Sequence, residues 1–228
     1  MGHSAIDLYL FHLLNGFAGQ AALDNLVWHL DQNNIPRELI LTAPYIFFWV
    51  SDKSHETRSR LVTGLFGAFL AIFVARLVAH FAPFEARPMY DAISGYHRLA
   101  VDRALDMENW SSFPSDTAAF SIALTLGLFP AHRTASLILT VFSMALFGVS
   151  RIYLGIHYPV DVLVGWIIGA GCAALANSRL ALMAGELPLR LEARSAPLFY
   201  TLAALVLIET GQMFDNVRSV LRLFRLIA

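Results

Sequence analysis

Cysteine is almost missing from this chain: the 228 residues include one, Cys172, inside an apolar run. That excludes an internal disulfide and argues against a thiolate metal site. Charge is scarce as well. Asp, Glu, Lys and Arg make up 14% of the sequence, where soluble domains carry about a quarter. A net charge of −1 gives no global field to attract nucleic acid. The first basic side chain of the Lys/Arg type is Arg37, so the basic n-region of a cleavable signal is missing. The opening "MGHSAI" puts Ile6 where a myristoylation signal needs Ser or Thr. Targeting is therefore expected from transmembrane segments. Internal repeats and low-complexity tracts are also absent, which weakens a transporter reading built on inverted repeats.

What is abundant is apolar side chain: 57% of residues, with a mean hydropathy of +0.59. This predicts a multi-pass membrane protein of one domain, all-α. Residues 5–19 read as an interfacial amphipathic helix. Six transmembrane segments follow, at about 24–50, 61–82, 116–129, 135–152, 159–180 and 196–213, several of them shorter than the ~20 residues of a straight crossing. Residues 51–60 and 179–194 read as charged loops, and 83–115 as a long polar segment of the kind that carries function. The tail places Arg218, Arg222 and Arg225 on one stripe of an amphipathic helix at the membrane surface. Lys53, Arg58, Arg60, Arg133, Arg179, Arg190 and Arg194 share one face, which makes that face cytoplasmic. Arg87, Arg98, Arg103 and the tail arginines oppose that assignment.

Three stretches carry chemistry. In "SRIYLGIHYPVD" (150–161), Pro159 suits the first position of a helix. His157 then precedes that helix and Asp161 lies in its first turn. A carboxylate there can bond one imidazole nitrogen, fix the tautomer and leave the other nitrogen to attack. Arg151 offers a planar fork for phosphate oxygens. In "SFPSD" (112–116), Ser115 is a good N-cap at a helix start, where free N–H groups attract anions. In "APFEARP" (82–88), Pro88 stiffens the backbone behind a phosphate-clamping Arg87. Arg76 and His80, four apart on one helix face, are either functional or snorkelling.

Taken in this order, the three stretches resemble the type 2 phosphatidic acid phosphatase superfamily, whose pattern is Lys-x6-Arg-Pro, then Pro-Ser-Gly-His, then Ser-Arg-x5-His-x3-Asp. The third block matches at Ser150, Arg151, His157 and Asp161. The first matches at Arg87 and Pro88, with His80 at the Lys position. The second matches at Pro114 and Ser115, with Asp116 for Gly and Thr117 for His. "EARP", "SFPSD" and "SRIYLGIHYPVDVL" look most like bacterial undecaprenyl diphosphate phosphatases of the bacitracin-resistance type, which also favour "PSD". The resemblance covers about residues 60–180 of what it implies is a single integral-membrane phosphatase-like domain spanning 1–228.

The resemblance implies a two-step, metal- and cofactor-independent mechanism at the bacterial inner membrane, with the active side facing outward. His157 attacks phosphorus and Asp161 orients it. Arg87 and Arg151 hold the phosphoryl oxygens together with Ser115, and His80, Asp116 and Ser150 complete the phosphate-binding set. Thr117 cannot protonate a leaving group, since its hydroxyl is far too weak an acid. That loss is least harmful when the leaving group is already a stable phosphate. The expected substrate is therefore a polyprenyl diphosphate held among membrane lipids, either hydrolysed or used as a phosphoryl donor. The alternative is a lipid-phosphate-binding protein of the same fold in which Thr117 has impaired or abolished turnover.

Overall fold

A computed structural model describes residues 4–100 and 107–212. The tail stripe of Arg218, Arg222 and Arg225, like Arg103, lies outside the described residues. Within them the chain is all-helical: α1 (Ala5–Asn15), α2 (Ala21–Gln32), α3 (Asn34–Leu41), α4 (Ala43–Ser51), α5 (His55–Phe81), α6 (Asp116–Gly127), α7 (Arg133–Met144), α8 (Ser150–Tyr153), α9 (Pro159–Ala176), α10 (Arg179–Arg194) and α11 (Ala196–Gly211). Segments α5, Arg133–Tyr153 and α9 are long and apolar enough to cross a membrane, and α11 is a shorter apolar helix.

The expected first span, 24–50, is broken into α2, α3 and α4. Proline explains the breaks: Pro36 and Pro44 fall in the first turns of α3 and α4. A proline donates no N–H and collides with a preceding turn, so a helix cannot run through it cheaply. Asn33 caps α3 by accepting the Ile35 N–H at 2.9 Å. The two expected charged loops are largely helical. Ser54 caps α5, so His55 to Arg60 form its opening turns, and Arg60 pairs with Glu56 at 2.9 Å. Residues 179–194 form α10, capped by Ser178 despite Pro188 in its interior. Arg58 on α5 reaches Glu192 on α10 at 2.9 Å, so charges that suggested loops instead tie two helices together.

The core lies between α5, α6 and α9. Ala68, Ala71 and Ala75 face Ala119, Phe120 and Ala123, with Cys172 behind them. Small side chains let these helices approach closely, as membrane helix pairs do. Gly165 of α9 sits where any Cβ would strike the Ser115 carbonyl at 2.5 Å, so the starts of α6 and α9 lie against each other. The Arg133–Tyr153 segment carries a π-helical turn, Ala145–Val149, just before Ser150. Such wide turns re-aim the residues that follow and are frequent at functional sites.

Candidate active site

His157 sits in the short link between α8 and α9. Its backbone is folded back on α8, where the Arg151 carbonyl accepts the N–H groups of Ile156 (2.9 Å) and His157 (3.3 Å). Gly155 permits this fold: its φ is +71°, and a Cβ there would run into the Tyr96 ring. The imidazole is buried, 1% exposed, and each ring nitrogen has a separate neighbour. Nδ1 donates to the Ser112 carbonyl at 2.8 Å. Nε2 faces Arg87 Nη1 at 3.4 Å. That assignment makes Nδ1 the protonated nitrogen and leaves the Nε2 lone pair directed at the guanidinium.

The role expected for Asp161 is therefore shared. Its Oδ2 lies 3.6 Å from His157 Nδ1, beyond a good hydrogen bond. The closest acceptor is the Ser112 carbonyl. Asp161 Oδ2 instead accepts the Tyr158 N–H at 2.8 Å and the Ser112 hydroxyl, and the Asp161 carbonyl accepts the Ser115 N–H at 3.1 Å. Asp161 thus builds the corner on which His157 rests and adds a negative charge beside the ring. Burial lowers the His157 pKa below the ordinary histidine value, with Arg87 also lowering it and the Asp161 carboxylate opposing the shift.

Arg87 is 7% exposed. Its Nη1 donates to the Ile156 carbonyl at 3.0 Å and Nη2 to the Ser111 carbonyl at 3.5 Å, while Nε is buried and has no hydrogen bond among the described residues. Burial pulls its pKa down to about 10, so it remains charged near neutral pH. It feels the charges of Asp116, Arg151, Asp161 and Arg76, which defines one polar cluster at this end of the bundle.

Ser115 behaves as the sequence predicts, capping α6 by accepting the Ala118 N–H at 3.4 Å. Asp116 accepts the Thr117 N–H at 2.8 Å and pairs with Arg76 Nη2 at 2.5 Å. Arg76 lies over the Trp110 ring, 4.7 Å from its centroid. Arg76 therefore faces the cluster rather than simply snorkelling. His80, expected at the phosphate, is exposed and meets the Phe81 ring edge-on; no hydrogen bond ties it to the cluster among the described residues. It shares the face of Arg76 but lies one turn further on, in the last turn of α5. Ser150, expected to bind phosphate, donates instead to Asp31 Oδ1 at 2.9 Å and the Leu146 carbonyl at 2.5 Å. The π turn ahead of it points the hydroxyl toward α2.

Sequence reasoning missed Ser112 and Asp31. Ser112 is the residue before "FPSD", and its carbonyl and hydroxyl each do a different task. Asp31 is buried at the end of α2, and its Oδ1 lies 3.3 Å from Arg151 Nε. Asp7 also joins, its Oδ1 accepting the Val160 N–H at 2.9 Å. For Asp7 the signal was an acidic residue in a largely apolar helix; Ser112 and Asp31 carried none.

An arginine-flanked histidine lies at the end of an apolar helical bundle, and residues 81–181 match the family model of the PAP2 superfamily. The chain is 37% identical over 123 residues to decaprenylphosphoryl-5-phosphoribose phosphatase of Mycobacterium tuberculosis (strain ATCC 25618 / H37Rv), covering 53% of this chain and 61% of that protein. It is 29% identical over 130 residues to undecaprenyl-diphosphatase BcrC of Bacillus subtilis (strain 168), covering 57% and 60%. The crystal structure of Aquifex aeolicus LpxE shares the fold, with a TM-score of 0.56, 24% identity, and coverage of 76% of this chain and 95% of that one. The apolar helices and these relatives mark the chain as a membrane protein, and the family supports a phosphatase.

Proposed function

We propose that this protein removes phosphate from a polyprenyl diphosphate in a bacterial cytoplasmic membrane, with His157 as nucleophile and the site facing outward. The unprotonated His157 Nε2, with Nδ1–H anchored on the Ser112 carbonyl, carries the reading. Nε2 attacks the terminal phosphorus. An N–P bond forms, the bridging P–O bond breaks, and the polyprenyl monophosphate leaves with the bond's electron pair. Water then attacks the phosphohistidine, releasing inorganic phosphate and restoring the imidazole. Arg87 and Arg151 stabilise the equatorial oxygens as charge develops. Ser115 and Asp116 shape the α6 start beside them.

Thr117 favours diphosphates over monoesters. Loss of a general acid costs about 10²–10⁴-fold where the leaving group needs a proton. A phosphate leaving group needs it least. Residues 1–228 act in this reading as one membrane unit, with α2–α4, α5, α6, α7–α8, α9 and α11 as six crossings. Thr117 also favours a second reading, a lipid-phosphate binder without turnover. Phosphate release in detergent from undecaprenyl diphosphate and from phosphatidic acid tests both. Faster release from the diphosphate is expected, with loss of at least about 10⁴-fold in His157→Ala. Faster release from the monoester overturns the diphosphate preference, and binding without release establishes the second reading.

A further inference from the structure

Arg151 is anchored from outside the matched domain. Asp31, in the last turn of α2, is fully buried. Its Oδ1 lies 3.3 Å from Arg151 Nε, an ion pair rather than an aligned hydrogen bond. The same oxygen accepts the Ser150 hydroxyl at 2.9 Å. Asp31 is itself held in place: its carbonyl accepts Arg37 Nε at 2.8 Å, and its Oδ2 accepts Gln32 Nε2 at 2.5 Å.

The geometry separates the two arginines of the cluster. Arg87 has both Nη atoms on backbone carbonyls. Among the described residues, Arg151 has a partner only at Nε, and both of its terminal nitrogens are free of protein partners. A buried guanidinium needs a counter-charge. Placing that charge at Nε neutralises the stem side and leaves the fork, the part that matches two phosphate oxygens, uncommitted.

We infer that Asp31 is a positioning residue for phosphate binding: it holds Arg151 by Nε, with Ser150 as a bridge, so that the guanidinium fork is presented to the phosphoryl group. The inference rests on the phosphate-gripping role proposed above for Arg151. It places part of the phosphate site on α2, a helix that lies outside the matched residues 81–181.

The test uses the full chain in detergent and orthovanadate, a phosphate mimic, with binding measured directly by calorimetry. Supporting partners of functional groups are typically worth about 10–100-fold. Asp31→Asn, which keeps the shape and loses the charge, should weaken orthovanadate by about that factor. Asp31→Glu, which keeps the charge, should fall between it and the wild type. Arg151→Lys should also weaken binding, and adding Asp31→Asn to it should cost no more than about threefold further, because the lysine has no fork left to aim. Unchanged binding in Asp31→Asn overturns the inference. So does a double variant whose losses multiply, since a purely structural Asp31 would act equally in both backgrounds. Wild-type protein that binds orthovanadate but releases no phosphate overturns the hydrolysis reading alone. Wild-type protein that fails to bind orthovanadate overturns both.

Discussion

The starts of α6 and α9 lie against each other, and they are finished in opposite ways. The α9 start is closed from several sides. Pro159 has no N–H to satisfy, Asp161 takes the Tyr158 N–H, and Asp7 from α1 takes the Val160 N–H. Phe11 of α1 packs on the Tyr158 ring, with 5.6 Å between centroids. The α6 start is capped by its own side chains, Ser115 on Ala118 and Asp116 on Thr117, while the Ser115 N–H donates to the Asp161 carbonyl and the half-exposed Arg76 pairs with Asp116. The difference assigns them different duties. In the mechanism proposed above, the α9 start is a fixture that keeps His157 immobile, as an attacking group must be. The α6 start can be altered locally, and in that proposal its Thr117 stands where the leaving group would receive a proton.

The comparison can be broken by changing each start in turn. The largest effect is expected at α9. Asp161→Asn keeps the cap but removes the charge beside His157, and turnover of the diphosphate should fall about 10²–10⁴-fold. Asp161→Ala should in addition lower stability by about 1–3 kcal/mol, because the Tyr158 N–H and Ser112 hydroxyl are left buried and unpaired; thermal unfolding of the two variants separates charge from cap. A smaller effect of opposite sign is expected at α6. Thr117→His should raise monoester hydrolysis about 10- to 100-fold while changing diphosphate hydrolysis little, measured as phosphate release from both lipids. An equal gain on both lipids would show that position 117 does not read the leaving group.

The smallest effect is on pH. In the proposed mechanism neutral His157 is the attacking form, and it is present above its pKa. Burial lowers that pKa, so kcat/KM should hold as pH falls past about 6.5, the ordinary histidine value, and drop only through the lowered value. Asp161→Asn removes an opposing influence and should move the limb further toward acid. The stability sign is consistent. The unfolded chain takes the proton more readily, so the contribution of His157 is full above about pH 6.5 and is lost as pH falls from there through the folded value.

Much of the site was legible because its residues sit at helix ends, where capping chemistry and motif spacing coincide. His157, Asp161, Ser115, Arg87 and Arg151 do gather at one end of the bundle. Ser112 was not legible, because its main contribution is a backbone carbonyl, which any residue type could supply. Asp31 was not legible either: its partner lies on a distant helix, and its sequence neighbours "HLDQNN" look like a polar helix end. The order of helices was readable from hydropathy, but their breaks and extents were not. Pro36 and Pro44 interrupt a run that hydropathy reads as one span, and 51–60 and 179–194 read as charged loops although most of them are helical and Arg58 pairs with Glu192 from helix to helix.

The first two helices also bear on how this protein could be divided. Asp7 finishes α9, Asn15 ties the Tyr153 carbonyl and the backbone of His97, Asp24 takes the Tyr153 hydroxyl, and Asp31 holds Arg151. A fragment cut to residues 81–181, which the family model matches, would lose every one of these struts together with nearly all of α5. The bounds of the family match and the cohesion of the fold therefore follow different borders in this chain. Any exchange of its early helices with those of a relative would have to carry the acidic positions across, or the transplanted catalytic end would have nothing to lean on.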